Sequence, residues 1–173
     1  IRNGIYYAYP FQEAILSILP LCDEMIINVG ISEDDTLAAV KSMYDKNKSK
    51  IRILESEWDM NLKEGLVLST ETNKALKECN GDWCFYIQSD EVLHERYYDA
   101  VKKEMTDNIS DNKIEGLRFR YRHFYGSYDY YQDNYRKWYI REVRIIKNRD
   151  NIVSWGDAMD FRHPDGSKIS AIN

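Results

Sequence analysis

From its first residues the chain alternates short apolar runs, polar turns and apolar positions at helical spacing. Ile1-Arg2-Asn3-Gly4 has the character of a strand end entering a loop. Phe11, Ala14, Ile15, Ile18 and Leu19 then share one helical face until Pro20 stops the helix. Met25–Val29 is a second apolar run. The polar turn Gly30–Thr36 follows it, with Ser, Asp and Thr as helix-capping residues ahead of Leu37, Val40 and Tyr44. Ile51–Leu54 is a third run, and a long polar loop from Glu55 to Gly65 leads to the face Leu68, Thr72, Ala75, Leu76 and Cys79. Asn80-Gly81 closes that helix, and Trp83–Ile87 is an apolar run suited to a strand buried on both faces. The order strand, helix, strand, helix, strand, helix, strand predicts a parallel sheet with right-handed crossovers, and Ile26, Ile53 and Phe85 in its interior.

The texture changes after a helix through Tyr98, Val101 and Met105 and a turn-rich connector, Asp107–Asn112. Leu117, Phe119 and Tyr121 alternate with Arg118, Arg120 and Arg122, predicting a strand with one buried face, and Glu142–Ile146 predicts another. The segment between them, 123–139, is crowded with aromatic residues, and no linker separates the two halves. The fold class expected is α/β, a mostly parallel sheet flanked by helices with mixed strands in the second half, in a single domain over 1–173.

At 173 residues, 43% hydrophobic and 31% charged, the chain has the composition of one globular domain with its own core. No apolar run approaches the ~20 residues that cross a bilayer. The net charge of −5 argues against nucleic acid as a partner, because phosphate binding needs a basic face. Cys22, Cys79 and Cys84 lack CxxC or metal-ligand spacing, which favours a reducing, cytoplasmic setting. An opening without Met and no closing element at Ile172-Asn173 suggest a piece of a longer protein, truncated at one or both ends.

Candidate chemistry gathers in Gly81–Glu95, where the apolar run gives way to Asp90 and Glu91. Ligands of open α/β sheets sit beyond the carboxyl ends of strands, so these acids are placed to hold a hard cation and, through it, a phosphate. A solvated loop opening the next helix, with Glu91 or Glu95 facing its dipole, accounts for them equally well.

The order of these signals resembles the GT-A-fold inverting glycosyltransferases of the family that includes cellulose and chitin synthases (glycosyltransferase family 2-like). The resemblance spans nearly the whole chain. Arg2-Asn3-Gly4 corresponds to a nucleotide-contacting loop and Glu13–Leu19 to the helix after it. Ser32, Asp34 and Thr36 match a turn whose leading Asp is Gly30 here. Lys63, Gly65 and Asn73 match the next loop and helix, with Thr72 in place of the family's Arg. Gly81–Glu91 matches the metal motif with Gln88 in place of its first acid.

The resemblance implies a Rossmann-like GT-A fold, with a nucleotide-sugar half over 1–94 and an acceptor half over 95–173. It implies Mg²⁺ or Mn²⁺ on Asp90, and donor contacts from Arg2, Asn3, Ser32, Asp34, Lys63, Gly65, Asn73, Gln88, Ser89 and Glu91. A carboxylate base is also required. Asp157 is the first choice for it, with Asp160 and Glu142 as alternatives. Arg141 and Arg144 are assigned either to the diphosphate or to an exposed strand face, and His163 to the metal or to the surface. The expected activity is metal-dependent transfer of a sugar from a nucleotide-diphospho-sugar to a hydroxyl of a glycan or glycoconjugate, with inversion, in the cytoplasm or at a membrane surface. Two rivals stand beside it. One is a non-catalytic nucleotide- or sugar-binding module. The other is a nucleotidylyltransferase, whose Gly-rich phosphate loop a single Gly4 does not supply.

Overall fold

In the computed structural model, which describes residues 1–132 and 138–173, the apolar runs become elements in the expected order. Helix α1 (Phe11–Ile18) buries Phe11, Ala14, Ile15 and Ile18 on one face, and a 3-10 turn over Leu19–Leu21 that contains Pro20 ends it. Strand β1 (Met25–Gly30), helix α2 (Thr36–Lys46), strand β2 (Ile51–Ser56), helix α3 (Leu66–Leu76) and strand β3 (Trp83–Phe85) follow. The second half holds helix α4 (Tyr98–Asn108), strands β4 (Gly116–Arg120), β5 (Phe124–Tyr125), β6 (Ser127–Tyr131) and β7 (Arg141–Lys147), then β8 (Val153–Trp155), β9 (Asp160–Arg162) and β10 (Ala171–Ile172). The aromatic segment 123–139 begins as the exposed hairpin β5–β6, and its positions 133–137 lie outside the described residues. Among the described residues no helix is long and apolar enough to cross a membrane.

The architecture is mixed α/β, and the expected mostly parallel sheet is found only in part. Strands β1 and β2 pair in parallel, from Met25 opposite Ile51 to Gly30 opposite Ser56. Strand β3 pairs antiparallel with β7, within a four-stranded sheet of order β10-β4-β7-β3. The physical reason lies in β7. It is buried from Val143 to Lys147, so it needs cover on both faces and a partner on each edge, and β3 and β4 supply the edges. Ile26, Ile53 and Phe85 are half-buried rather than fully interior.

The first sheet packs on α1 and α2 through Phe11, Ile15, Ile27, Val29, Val40 and Ile51. A second apolar cluster joins Cys84, Val143, Ile146 and Phe161, and a third joins Val101, Leu117 and Ile145. That Val143 shares a cluster with Ile146, three residues on, and not with Ile145 follows from a β-bulge. Leu117 pairs with Ile145 but Arg118 pairs with Val143, so Arg144 has no partner on β4 and the inward-outward alternation resets there.

Candidate functional site

The turn beyond β3 is tied down by its own acid. Glu91 donates its amide to Gln88 O (3.2 Å), and its carboxylate accepts the Gln88 amide (3.1 Å). The same carboxylate takes Arg144 Nη2 at 2.8 Å, Arg144 Nε at 3.0 Å and the Tyr121 hydroxyl at 2.9 Å. Arg144, only 1% exposed, also donates to Met159 O (3.2 Å) and lies over the rings of Tyr86 and Tyr121. Burial works against the guanidinium charge, but Glu91 outweighs it and raises the Arg144 pKa further. Burial likewise pushes the Tyr121 phenol far up, with Arg144 opposing and Glu91 adding to the shift. The two roles expected of these residues therefore change. Glu91, expected among the donor contacts, is turned inward as the anchor of the turn. Arg144, expected on the diphosphate or an exposed face, is its buried counter-ion, placed there by the bulge.

With Glu91 turned in, Asp90 is left exposed at the surface. Its carboxyl is nonetheless crowded enough that desolvation raises its pKa, with the Glu91 charge adding and its backbone hydrogen bond and Arg144 opposing. Gln88 directs its side-chain amide to the Tyr86 hydroxyl (3.3 Å) and Ala158 O (3.4 Å), linking this turn to the one beyond β8.

At the head of the chain, three of the expected donor contacts stitch two loops together. Ser32 Oγ accepts the Asn3 amide (3.0 Å) and donates to Gly30 O (2.9 Å), while Asn3 Oδ1 accepts the Glu33 amide (2.9 Å). Asp34 accepts the amides of Tyr6 (2.7 Å) and Thr36 (3.0 Å). Desolvation alone would raise the Asp34 pKa; the bonds from Thr36 and Tyr6 outweigh it and hold the carboxyl below its usual range. Arg2 Nε donates to Ile31 O (3.0 Å). Gly30, where the resembled family has Asp, is explained by Trp58: a Cβ there would lie 2.6 Å from the indole Nε1. That Nε1 is buried and finds no hydrogen-bond partner among the described residues. Its one signal in the sequence is a tryptophan in a mostly polar loop, and that signal alone assigns it no role.

Helix α3 carries the turn beyond β8 on one face. Asn73 exchanges two bonds with the Ser154 backbone (2.8 and 3.0 Å), and Ser69 Oγ donates to Gly156 O (2.6 Å). Gly65, at φ 75°, packs so closely on Asp157 that a Cβ would come within 2.7 Å of the Asp157 Cβ. Asn73, expected to contact the donor, thus holds β8, and Gly65 makes room for Asp157. Lys63 is exposed two residues earlier.

Of the three base candidates, Asp157 is exposed and Asp160 is paired with Arg162 at 3.2 Å. Glu142 is half-buried, and desolvation raises its pKa, with Arg144 opposing and Asp160, Glu91 and Asp157 adding. His163 lies apart from Asp90, bonded to Asn151 O (2.8 Å) and 3.3 Å from Glu115, while Arg141 is exposed and donates to Asn173 Oδ1 (3.1 Å).

Arg2, Gly65, Gln88, Ser89 and Asp90 line a single cleft of about 780 Å³ between β1 and β3. A cation there would rest on Asp90. Among the described residues no group of three or more His, Cys, Asp or Glu side chains converges on a metal position. One carboxylate with phosphate oxygens and water suits Mg²⁺ or Mn²⁺. Neither a scan against family models nor a search of curated proteins finds a match to this chain.

Proposed function

We propose that the protein is a metal-dependent glycosyltransferase, moving a sugar from a nucleotide-diphospho-sugar to a hydroxyl of a glycan or glycoconjugate with inversion. The observation that carries this reading is the shared cleft: Arg2, Gly65, Gln88, Ser89 and Asp90 border one concavity, and Asp157 packs against Gly65. In this reading Arg2 and the Ser89 hydroxyl meet the diphosphate. Asp90 holds the Mg²⁺ or Mn²⁺ that, when bound, offsets the charge of the departing diphosphate. Asp157, with Asp160 and Glu142 as the alternatives, takes the proton from the acceptor hydroxyl. The Glu91–Arg144 pair keeps Asp90 at the mouth by fixing the turn on which it stands.

A panel of nucleotide sugars with Mn²⁺ tests the reading, with donor cleavage and product followed by chromatography. Asp90→Asn should weaken cation-dependent nucleoside diphosphate binding, because the amide removes the anionic ligand. Donor binding unchanged by chelator would remove Asp90 from this role. Asp157→Asn should leave donor binding intact and lower turnover by roughly 10²–10⁴-fold. If Glu142→Gln alone produces that loss, the base is Glu142. If Asp157→Asn, Glu142→Gln and Asp160→Asn all leave turnover unchanged, the inverting mechanism fails. A non-catalytic binding module is the second reading, favoured by Gln88, whose amide is engaged with Tyr86 and Ala158. Donor binding with no turnover across the panel supports it.

A further inference from the structure

Strands β4 and β7 bring like charges face to face, with Arg120 directly opposite Arg141. Tyr121 donates its amide to Ile140 O (2.9 Å), which makes those two the hydrogen-bonded pair and leaves Arg120 and Arg141 at the neighbouring non-hydrogen-bonded one. At such a pair the Cα atoms are about 4.5 Å apart and the side chains stand closest, so two guanidinium groups there repel. Arg118 shares their face, two residues before Arg120 and past the bulge.

Hydrogen bonds draw the three heads toward one another. Strand β10 lies on the far side of β4 from β7. Arg118 Nη1 donates to Ala171 O (2.7 Å), and Arg141 Nη1 reaches over β4 to Asn173 Oδ1 (3.1 Å). Both acceptors are neutral, so neither offsets a positive charge. Acids are not scarce in this chain, which holds 29 of them against 24 Lys and Arg, and Arg2, Arg52, Arg144 and Arg162 each lie within 4.0 Å of a carboxylate. Among the described residues, Arg118, Arg120 and Arg141 have no carboxylate at that distance. Arg120 and Arg141 are exposed, Arg118 is half-buried, and none of the three borders the cleft between β1 and β3.

Like charges held together at a cost in stability mark a surface shaped for a ligand that neutralises them. The ligand's chemistry follows from the donors. A phosphomonoester carries a charge of about −1.5 to −2 at pH 7 and three strong acceptor oxygens, which guanidinium forks grip in pairs. A carboxylate brings a single charge and two oxygens, and so leaves more of the repulsion in place. Arg122, next on this face, is turned onto the Tyr131 ring at 4.8 Å and stands outside the group.

We propose that Arg118, Arg120 and Arg141 form a phosphomonoester-binding site on the β4–β7 face, separate from the cleft. Arg120 and Arg141 clamp the phosphate between them, and Arg118 meets it from β4. The test uses the whole chain with chelator present, so that no cation at Asp90 takes part. Parent, Arg120→Gln and Arg141→Gln are melted in chloride and in inorganic phosphate at equal ionic strength. In chloride each variant should melt about 1–3 °C above the parent, because a repelling pair is gone. Inorganic phosphate at ten times its Kd should raise the parent's Tm by about 4 °C beyond any gain in the variants, a difference that cancels the general stabilisation by excluded salts.

Inorganic phosphate, glucose 6-phosphate and glucuronate are then titrated against the Nε–H NMR signals of Arg120 and Arg141. Both phosphates should shift these signals saturably, and at least about tenfold more tightly than glucuronate. Tighter binding of glucose 6-phosphate assigns the site to a sugar phosphate, and equal binding assigns it to the phosphate group alone. Equal phosphate gains in parent and variants would overturn the proposal, as would glucuronate binding as tightly as phosphate. Variants less stable than the parent in chloride would also overturn it, since the arginines would then be serving the fold. No donor sugar or turnover enters these readouts, so the outcome is independent of the glycosyltransferase reading.

Discussion

Replacing Glu91 with Gln removes one charge from a buried pair and keeps nearly the same shape. The side chains are 10% and 2% exposed for Glu91 and Arg144, so the guanidinium is left with no compensating anion and little water. Breaking such a pair costs about 3–5 kcal/mol. Arg144 keeps its bond to Met159 O and its two tyrosine rings, which places the loss near the lower end of that range. With an unfolding entropy of about 2.1 cal/mol/K per residue, 173 residues give ~0.36 kcal/mol/K, so a loss of about 3 kcal/mol lowers Tm by ~8 °C. Calorimetric melts measure this directly. The double variant Glu91→Leu with Arg144→Met should recover most of the loss, because an apolar pair carries no stranded charge. A Glu91→Gln melt within ~2 °C of the parent, or a double variant less stable than the single one, would refute the anchoring role assigned to this pair.

Two further outcomes follow from other buried groups. Desolvation would raise the Glu71 pKa, but hydrogen bonds from Lys74, Ser56 and Asn28 outweigh it and hold the carboxyl below 4.5. Its contribution is therefore complete above that value and lost as pH falls through the lower folded pKa. Glu71→Gln should be less stable at neutral pH and should show a flatter acid limb in denaturant titrations; parallel acid limbs would contradict this. Gly65→Ala must hold a Cβ at φ 75° and against Asp157, so it should lose about 1–3 kcal/mol in urea melts and lower turnover with intact donor binding. Unchanged stability and turnover would mean that the loop moves freely away from Asp157.

Elements were legible where burial and periodicity coincide. Met25–Gly30 and Ile51–Ser56 appear as apolar runs, and the helices announce themselves through residues such as Phe11, Ile15 and Val40. Strand order was not legible, because no local pattern tells β3 to choose β7, which follows it by more than fifty residues, over β1. Arg144 misled for a similar reason. Strict alternation puts it on a polar face, but the bulge that resets the alternation depends on its pairing with β4, and its counter-ion lies 53 residues away. In the site, Asp90 and its neighbours could be picked out as polar residues at a strand end. Asn73 and Glu91 are just as polar, and only their partners show them to be holding the backbone together.

Gly65, Ser69 and Asn73 recur every four residues and meet Asp157, Gly156 and Ser154 in reverse order. Helix α3 is thereby a ruler laid against the loop, and its reading frame, more than its composition, sets the position of Asp157. One residue inserted between Ser69 and Asn73 would rotate everything beyond it by about 100° and advance it by ~1.5 Å, so the loop could keep its grip at Ser154 or at Gly156 but not at both. Length changes in α3 should therefore be far less tolerated than substitutions along its exposed side, and a deletion there would displace Asp157 without touching it.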